Sequence, residues 1–511
     1  MADSAADAPL VVGIDLGTGS VRALVFDPTG ACLATAGRPT PMVTVGPGAA
    51  EFEPEALWRA TAGAIAEAVG QIDRPGRIRA VAAASFAESG ICLDGAGRAI
   101  GVSQAWYDKR PAAQNAMLRA RFGEPALALK SGMRLEPVPG VSKLLWLRDE
   151  RRDVFDLTTR WLNVADFVAY RLSGEIATDF SLAGRMMALD LAAGTYNRDL
   201  LDALGLPVDL LPPLADNGDL LGPVTAEAAA ATGLPGDCMV VVGGHDHVLG
   251  ALASGALKPA AGLDSMGTAE ALLRPIDRPI TDERVVTWGF EQGRLSIAGL
   301  AIPFVMGGLV TSSAAIEWFR QTVAAGADYD TLIAGAREAA PGCGGTVFVP
   351  HLRFGSPPDV GADAAGAFLG LSTDTDPSTL FRAVLEGLAC DLRKIDEHIT
   401  ALAETAGGRT PDRLMVTGGA ARNDLLLAIK AAVYARPLEV IEMPESTSQG
   451  AALLACLGAR LHDGLDAAIE AFRPPSRTVA PDPALVETYD RLYRTRYRPA
   501  VDALRAWRAA G

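Results

Sequence analysis

The stretch Val11–Asp27, VVGIDLGTGSVRALVFD, sets the pattern for the whole chain. Two apolar runs flank a short Gly-rich link, which is typical of a β-hairpin. Asp15 ends the first run, and Gly17, Thr18 and Ser20 follow it. A carboxylate beside such a turn suits a metal–phosphate complex, in which the acid binds Mg²⁺ while hydroxyls and backbone N–H groups donate to phosphate oxygens. An ordinary hairpin in which Asp15 caps the turn fits the same residues equally well.

Length and charge restrict the classes of protein to which the chain can belong. With 511 residues the chain is long enough for at least two domains. Its net charge of −15 argues against nucleic acid as a partner, because a phosphate backbone attracts a basic surface. The six cysteines are scattered without a C-x-x-C pair, which indicates reduced thiols in the cytoplasm. Residues 1–9 lack the basic start of a signal peptide, and no apolar run is long enough to span a membrane.

A second stretch with candidate chemistry is Cys238–Leu257. It predicts a strand, a turn at Gly243 and Gly244, a His-Asp-His run at 245–247 and a helix rich in small residues. Asp246 would lie at the positive end of that helix, which keeps a carboxylate ionised and suits a general base. An N-cap role for Asp246 is compatible with the same position. The flanking histidines leave a zinc site as the weaker alternative, since adjacent residues seldom bind one ion together.

The strand–turn–strand pattern occurs again after Pro259. An apolar run over Gly262–Met266 leads into Gly267 and Thr268, and a further run covers Ala271–Arg274. Two such hairpins on two domains could hold one polyphosphate from both sides. This weak internal repeat is the strongest argument that the residues provide on their own.

A Gly-Gly pair marks a candidate site for a flat base. The predicted strand Arg413–Thr417 ends at Gly418 and Gly419, and Asn423 is the expected N-cap of a helix over Asp424–Val433. Without side chains at the turn, a base could lie directly against the backbone.

Polar and aromatic residues after two first-domain strands are candidates for binding a polyhydroxylated ligand. Glu88 lies in a loop at the carboxyl end of a strand, where α/β sheets gather ligand sites. Trp106 can pack on the face of a sugar, while Asp108 and Arg110 can bind hydroxyls. Structural roles are the alternative: a solvated loop acid at Glu88, and a core tryptophan with a surface ion pair over 106–110.

Further elements are expected as scaffold. The expected strands are Ile78–Ser85, Ala99–Ala105 and Leu438–Ile441, the expected helices are Glu53–Val69, Trp161–Leu172, Ser446–Leu457 and Asp482–Gly511, with another helix beginning at Lys143 and a loop over Thr178–Ser181.

Six motifs in order resemble the FGGY carbohydrate kinases, of the actin-like ATPase superfamily. They are GIDLGTGSVRALVFD at 13–27, WYDKR at 106–110, KLLWLRDE at 143–150, GGHDH at 243–247, SMGTAEALL at 265–273 and VTGGAARNDLL at 416–426. The resemblance covers nearly the whole chain. It implies an α/β fold of two ribonuclease-H-like domains with ATP in the interdomain cleft. The expected segments are a sugar-binding and first phosphate domain over 9–257, a nucleotide-binding domain over 258–475 and a helical segment over 476–511.

The resemblance also implies roles for individual residues. Asp246 resembles the catalytic base, and Mg²⁺ is expected near Asp15 and Asp246. The residues that resemble nucleotide and phosphate elements are Asp15, Gly17, Thr18, Ser20, Gly267, Thr268, Gly307, Gly418, Gly419 and Asn423. The residues expected at the sugar pocket are Glu88, Trp106, Asp108, Arg110, His245 and Asp246.

The chain departs from the family pattern in places that bear on the substrate. Gly140 stands where Pro, Ser or Thr is usual, Thr379 stands where an acidic or other polar residue is expected, and PHLRFGSPP at 350–358 replaces a stretch that often contains Gly-Glu-Arg. In the pocket loop, xylulokinases tend to carry Met-His and glycerol kinases Arg-Glu. Glu88 fits the second pattern, but Ala87 replaces its arginine.

The predicted function is ATP-dependent phosphorylation of a small ketose or polyol, by a protein that could form a homodimer. The sugar and its phosphorylated hydroxyl stay open. The alternatives are a nucleotide-driven ATPase related to actin or heat-shock proteins, and a sugar-sensing kinase homologue without catalysis.

Overall fold

The computed structural model describes residues 8–136, 138–353, 355–360, 366–443 and 445–509. Residues 1–7, on which most of the signal-peptide prediction depends, lie outside the described residues. So do the last two residues of the predicted terminal helix, 510 and 511. The described residues form two compact units. The first contains the chain up to Gly255 with Gln292–Pro303 and Glu445–Arg473, and the second contains Ala256–Glu291, Phe304–Pro444 and Pro474–Gly511, masked positions excepted.

The strands, in chain order, are β1 Leu10–Leu16, β2 Ser20–Phe26, β3 Cys32–Pro39, β4 Val43–Gly46, β5 Ala49–Phe52, β6 Ile78–Ser85, β7 Gly90–Leu93, β8 Ala99–Ile100, β9 Ser103–Gln104, β10 Arg160–Asn163, β11 Thr178–Asp179, β12 Leu189–Asp190, β13 Thr195–Tyr196, β14 Leu214–Ala215, β15 Leu220–Pro223, β16 Met239–His245, β17 Leu263–Met266, β18 Glu270–Pro275, β19 Glu291–Ile297, β20 Leu300–Leu309, β21 Val347–Val349, β22 Ala367–Leu369, β23 Leu414–Thr417, β24 Leu438–Ile441 and β25 Ser476–Val479.

The helices are α1 Pro54–Gly70, α2 Ala112–Phe122, α3 Glu124–Ser131, α4 Gly140–Glu150, α5 Arg152–Phe155, α6 Val164–Ser173, α7 Phe180–Gly184, α8 Arg198–Leu204, α9 Ala226–Thr232, α10 Asp246–Ala253, α11 Arg284–Thr287, α12 Ser313–Thr322, α13 Tyr329–Glu338, α14 Pro377–Thr405, α15 Asp424–Tyr434, α16 Ser446–Gly458, α17 Leu465–Ala471, α18 Pro483–Leu492 and α19 Arg498–Ala509. Among the described residues, no helix is both long and apolar enough to cross a membrane.

The predicted opening hairpin forms the middle of the first unit's main sheet. The strand order is β15-β16-β6-β1-β2-β3. β1 pairs antiparallel with β2 and parallel with β6, and β16 pairs parallel with β6. The apolar residues of β1 are almost completely buried. The carboxyl ends of β1, β6 and β16 therefore meet at one edge of the sheet, which is the edge that bears Asp15, Glu88 and Asp246.

The main sheet that contains β17 and β18 has seven strands, in the order β19-β20-β18-β17-β23-β24-β25. From β20 to β25 it repeats the topology of the first unit's sheet strand for strand. The hairpin β17–β18 is antiparallel, β23 and β24 follow in parallel, and β25 closes the edge antiparallel, as β15 does in the first unit. The weak repeat seen in the sequence is thus a repeat of the fold.

The compact units differ from the predicted segments in the placement of 292–303, 445–473 and 476–509. The helix α16 packs against β1, β6 and α10 of the first unit. The contact is close, because a Cβ atom on Gly13 would lie 1.9 Å from the carbonyl oxygen of Ser448. The terminal helices α18 and α19 group with the second unit instead of forming a separate segment.

Two predicted elements differ from the structure at glycines. The expected strand over Ala99–Ala105 is two short strands, β8 and β9, separated at Gly101, which has a φ of +68°. The predicted turn at Gly243 and Gly244 is wrong, since both residues belong to β16. A Cβ atom on Gly243 would lie 1.7 Å from the Ala83 carbonyl oxygen, so glycine there permits close strand packing.

Two further predictions are wrong about where a helix begins. In each case a capping side chain marks the actual start of the helix. The predicted helix over 161–172 starts with the strand β10, and α6 begins only at Val164, where the Asp166 carboxylate accepts a hydrogen bond from the backbone N–H of Asn163 at 3.1 Å. The predicted loop over 178–181 contains β11 and the start of α7. Asp179 caps α7 by accepting from the N–H groups of Ser181 and Leu182.

Candidate active site

Asp15 and Asp246 form a pair of carboxylates at the edge of the first unit's sheet. Asp15 lies near the end of β1, and Asp246 directly follows β16 as the first residue of α10. Burial and the negative charge of Asp246 raise the pKa of Asp15 to about 7, although Arg22 opposes the shift. The structure therefore brings together the two acids that were predicted to bind Mg²⁺.

His245 supports Asp246 from inside the fold. Burial and the charge of His247 lower the pKa of His245 well below its usual value, so the ring is neutral near pH 7. Its Nε2 lies 3.2 Å from Asp246 Oδ1. The same oxygen accepts a hydrogen bond from the His247 N–H at 2.6 Å. His245 is thus placed to orient Asp246. Among the described residues, no group of three or more metal-binding side chains supports the zinc alternative.

A buried polar network, which no sequence motif marks, holds the end of β16. The backbone N–H of His245 donates to Ser181 Oγ at 2.9 Å. The Asn217 side chain donates to the carbonyl oxygen of Gly243 at 2.5 Å. Asp179 accepts from the Ser181 N–H at 2.6 Å. These contacts fix the backbone from which Asp246 projects.

Trp106 connects the predicted sugar pocket to the first phosphate turn. Its indole Nε1 donates to Thr18 Oγ1 at 3.0 Å. Lys143 Nζ donates to the Trp106 carbonyl oxygen at 3.2 Å and to that of Val138 at 2.9 Å. Burial lowers the pKa of Lys143 to about 8, against the opposing charges of Glu88 and Asp108. Lys143 stands in a motif quoted above but was not predicted to support this pocket.

Glu88 is buried and paired with an arginine that the sequence analysis missed. Only 4% of Glu88 is exposed, and its backbone has a φ of +58°. Arg185 Nε donates a hydrogen bond to Glu88 Oε1. The two residues are 97 positions apart, and no motif marks Arg185. The pair offers both acceptor and donor groups for hydroxyls.

Asp108 supports Arg110 instead of presenting its own carboxylate. The Asp108 side chain is completely buried. It accepts hydrogen bonds from the Ala50 N–H at 3.0 Å and from the Arg110 backbone and guanidinium at 2.8–3.1 Å. Arg110 also pairs with Glu51 at 2.9 Å and lies over the Trp146 ring. The oxygens of Asp108 are thus used within the protein, and its predicted contact with substrate stays a prediction.

Hydrogen bonds hold the predicted first phosphate turn, 17–20, on both sides. The Gly17 N–H donates to the Ser20 carbonyl oxygen at 3.0 Å, and Thr40 Oγ1 donates to the Gly17 carbonyl oxygen at 2.7 Å. Ser20 Oγ accepts from Arg22 Nε at 3.3 Å. Arg22 also makes two hydrogen bonds to the Glu445 carboxylate, at 2.7 and 2.6 Å. These hydrogen bonds fix the backbone of the turn.

In the second unit, the Gly267–Thr268 turn joins β17 and β18. The Gly267 N–H donates to the Ala269 carbonyl oxygen at 3.0 Å, and the Ala314 N–H donates to that of Thr268 at 3.3 Å. Gly307 lies on β20, where a Cβ atom would come within 2.4 Å of the Phe290 ring. Packing alone thus requires glycine at 307.

The Gly418–Gly419 segment follows β23 beside that turn. Gly418 has a φ of +100°, and a Cβ atom there would lie 2.3 Å from the Met266 carbonyl oxygen. A Cβ atom on Gly419 would meet open space. The N-cap prediction is confirmed, since Asn423 Oδ1 accepts from the Leu426 N–H at 3.1 Å.

Similarity to known proteins covers nearly the whole chain. Residues 10–253 match the N-terminal domain of the FGGY family of carbohydrate kinases, and residues 265–459 match its C-terminal domain. The glycerol kinase of Gloeobacter violaceus is 31% identical over 459 residues, which cover 88% of this chain and 88% of that protein. The autoinducer-2 kinase of Yersinia enterocolitica is 32% identical over 492 residues, covering 89% and 87%.

Solved structures show the same similarity in three dimensions. A crystal structure of xylulose kinase from Rhodospirillum rubrum superposes with a TM-score of 0.89 at 28% identity, covering 98% of this chain and 99% of that one. The repeated sheet topology and both domain matches lead to one assignment. The chain belongs to the FGGY family of carbohydrate kinases.

Proposed function

We propose that this protein transfers the γ-phosphoryl group of ATP to a hydroxyl of a small sugar or polyol, with Asp246 as the general base. The observation that carries the proposal is the geometry of Asp246. Its side chain is 21% exposed. Its Oδ1 faces the His247 N–H and His245, while Oδ2 has no hydrogen-bond partner among the described residues. Oδ2 is therefore the oxygen that can accept a substrate proton.

The residues Asp15 and Asp246 fit Mg²⁺. Carboxylate oxygens are its preferred protein ligands, and it usually keeps water and phosphate oxygens as the others. Burial, and after it the negative charge of Asp246, raise the pKa of Asp15, and a cation bound there would stabilise the ionised carboxylate. Bound there, Mg²⁺ would supply positive charge to neutralise the phosphate oxygens during transfer.

The glycine-rich turns provide the remaining nucleotide contacts that we propose. In the first unit, the Thr18 hydroxyl and neighbouring backbone N–H groups donate to phosphate oxygens. In the second unit, the equivalent Gly267–Thr268 turn does the same. The open side of Gly419 leaves room for the base of the nucleotide. Since phosphoryl transfer depends mostly on positioning and charge neutralisation, these groups supply most of what the reaction needs.

The proposed acceptor is a small, uncharged, polyhydroxylated molecule. Its hydroxyls would donate to Glu88 and accept from Arg185 and Arg110, while Trp106 would cover its apolar face. The named relatives act on xylulose, glycerol and autoinducer-2, by their names. The full-length match to carbohydrate kinases argues against an actin-like or heat-shock-like ATPase. An Asp246 with a free oxygen argues against a homologue without catalysis.

A substrate panel tests the proposal directly. ADP release would be followed with purified protein, ATP and Mg²⁺ in the presence of ketopentoses, polyols, sugar acids and autoinducer-2. We expect release that depends on one class of acceptor and requires Mg²⁺. Release at the same rate without any acceptor would support the ATPase alternative, and no release with any of them would contradict the proposed function.

We also propose a cytoplasmic location. All six cysteines are free thiols, five of them buried, which suits a reducing compartment. The association of two copies into a homodimer stays a prediction.

A further inference from the structure

A fully buried lysine lies at the centre of the second unit. The side chains of Lys430, Asp264 and Glu270 are at most 1% exposed. Lys430 Nζ donates to Asp264 Oδ2 at 2.5 Å and also to Glu270 Oε1. The positive charge of Lys430 lowers the pKa of Glu270, while burial and the charge of Glu270 raise that of Asp264 well above its usual value. The cluster is thus a buried lysine that is hydrogen-bonded to two acids whose pKa values are shifted in opposite directions.

Such a cluster is a poor way to gain stability. Charges taken out of water lose their hydration, and apolar side chains of similar volume often stabilise a core more than a buried ion pair does. What the cluster provides is geometric specificity. Its hydrogen bonds are directional and can form only when β17, β18 and α15 lie in one arrangement. Its position decides whether that arrangement matters for function.

The three residues belong to the two nucleotide elements proposed above. Asp264 lies on β17, and Glu270 is the first residue of β18, so they stand on either side of the Gly267–Thr268 turn. Lys430 lies on α15, the helix that Asn423 caps. The ion pair therefore joins the phosphate turn to the helix behind the Gly418–Gly419 segment.

Neighbouring contacts extend the same connection. Ser312 Oγ, just before α12, donates to Glu270 Oε2 at 2.5 Å. The Ala314 N–H, in the first turn of α12, donates to the Thr268 carbonyl oxygen. Gly418 packs against the Met266 backbone, next to the turn. The turn is thus held at the Thr268 carbonyl group, at the Met266 backbone before it and at the Glu270 carboxylate after it.

We infer that Lys430, through Glu270 and Asp264, is a positioning residue for nucleotide binding. It holds the phosphate turn and α15 in the one arrangement in which both can contact ATP. This inference rests on the proposed function, because it assigns the turn and the Gly418–Gly419 segment to the nucleotide. The expected signature is a loss of nucleotide affinity that leaves acceptor binding unchanged.

The test compares two neutralised ion pairs of the same unit. Lys430→Met/Glu270→Gln removes one cation and one anion from the cluster. Lys394→Met/Asp391→Asn removes an equally buried pair, 2.9 Å apart on α14, that touches neither nucleotide element. ADP affinity would be measured by calorimetry, the Michaelis constants for ATP and for the best acceptor by ADP release, and thermal stability by calorimetric scanning.

We expect Lys430→Met/Glu270→Gln to weaken ADP binding and raise the Michaelis constant for ATP by about tenfold or more, with the acceptor constant within about twofold. The Lys394→Met/Asp391→Asn control should keep wild-type ADP affinity whatever its change in melting temperature. Unchanged ADP affinity in folded Lys430→Met/Glu270→Gln would overturn the inference, as would an equal loss in the control. Wild-type protein that binds no ADP would refute the proposed function itself.

A milder variant keeps the test decisive if the double variant does not fold. Ser312→Ala removes one hydrogen bond to Glu270 and leaves the ion pair in place. We expect it to weaken ADP binding by about twofold to tenfold, since Glu270 loses one hydrogen bond while the ion pair stays in place. Wild-type ADP affinity in Ser312→Ala would then overturn the inference.

Discussion

Replacing Asp15 with asparagine should stabilise the protein while removing its activity. In the folded state the pKa of Asp15 is about 7, against 3.8 in its ordinary state. Ionising this carboxyl therefore costs free energy that the unfolded chain does not bear. A difference of about 3 pKa units corresponds to an upper limit of about 4 kcal/mol. Because Asp15 is partly exposed, screening reduces this, and we expect a gain of about 1–2 kcal/mol at pH 8.

The sign of the effect reverses the usual behaviour of an aspartate. Above pH 7 the carboxyl is ionised in both states, and the full penalty applies. As the pH falls from 7 towards 4, the folded protein takes up the proton first, so wild-type stability rises relative to Asp15→Asn. The advantage of the variant should therefore be largest at pH 8 and should shrink to near zero at about pH 4.

Urea unfolding without nucleotide or Mg²⁺, at pH 8 and pH 4.5, measures both quantities. Asp94 provides a control of opposite sign, because hydrogen bonds from the backbone and side chain of Arg98 lower its pKa. Asp94→Asn should lower stability at pH 8, whereas Asp15→Asn should raise it and also lower turnover and increase the Mg²⁺ requirement. An Asp15→Asn variant no more stable than wild type at pH 8 would refute the electrostatic reasoning, and one with full turnover would remove Asp15 from the site.

Two further substitutions test the two binding regions. Gly267→Val places a Cβ atom 2.9 Å from the Ala269 carbonyl oxygen and adds bulk at the predicted phosphate turn. The Michaelis constant for ATP should therefore rise about tenfold or more in steady-state kinetics. Unchanged kinetics would show that the turn does not bind the nucleotide. Glu88→Gln weakens the pair with Arg185 and should raise the Michaelis constant for the acceptor by about tenfold, while the Michaelis constant for ATP stays within about twofold. Equal effects on the two Michaelis constants would indicate that Glu88 supports the fold.

The sequence predicted best what depends on neighbours along the chain. The hairpin at Val11–Asp27 and the cap at Asn423 follow from local patterns of apolar residues, glycines and a capping side chain, and both were found. The repeat of the hairpin at Gly267 reflected a real repeat of topology, because the same short pattern begins both sheets.

The sequence could not predict contacts made across long stretches of chain. Arg185 reaches Glu88 from 97 residues away, and Arg22 pairs with Glu445 across 423 residues. The placement of α16 on β1 depends on the missing side chain of Gly13, which no local pattern distinguishes from a flexible glycine. The local sequence around Asp108 suggests a ligand, because no local pattern shows that its carboxylate accepts a hydrogen bond from the backbone N–H of Ala50, 58 residues away.

The most direct test of the account is the turnover of Asp246→Asn with the best acceptor of the panel. Asparagine keeps the shape of the side chain but cannot accept a proton as a base, and a general base typically contributes about 10²–10⁴-fold to the rate. We predict a fall in the turnover number of that size, measured by ADP release, with ADP affinity within about twofold of wild type. Turnover close to wild type would contradict the assignment of Asp246 as the general base.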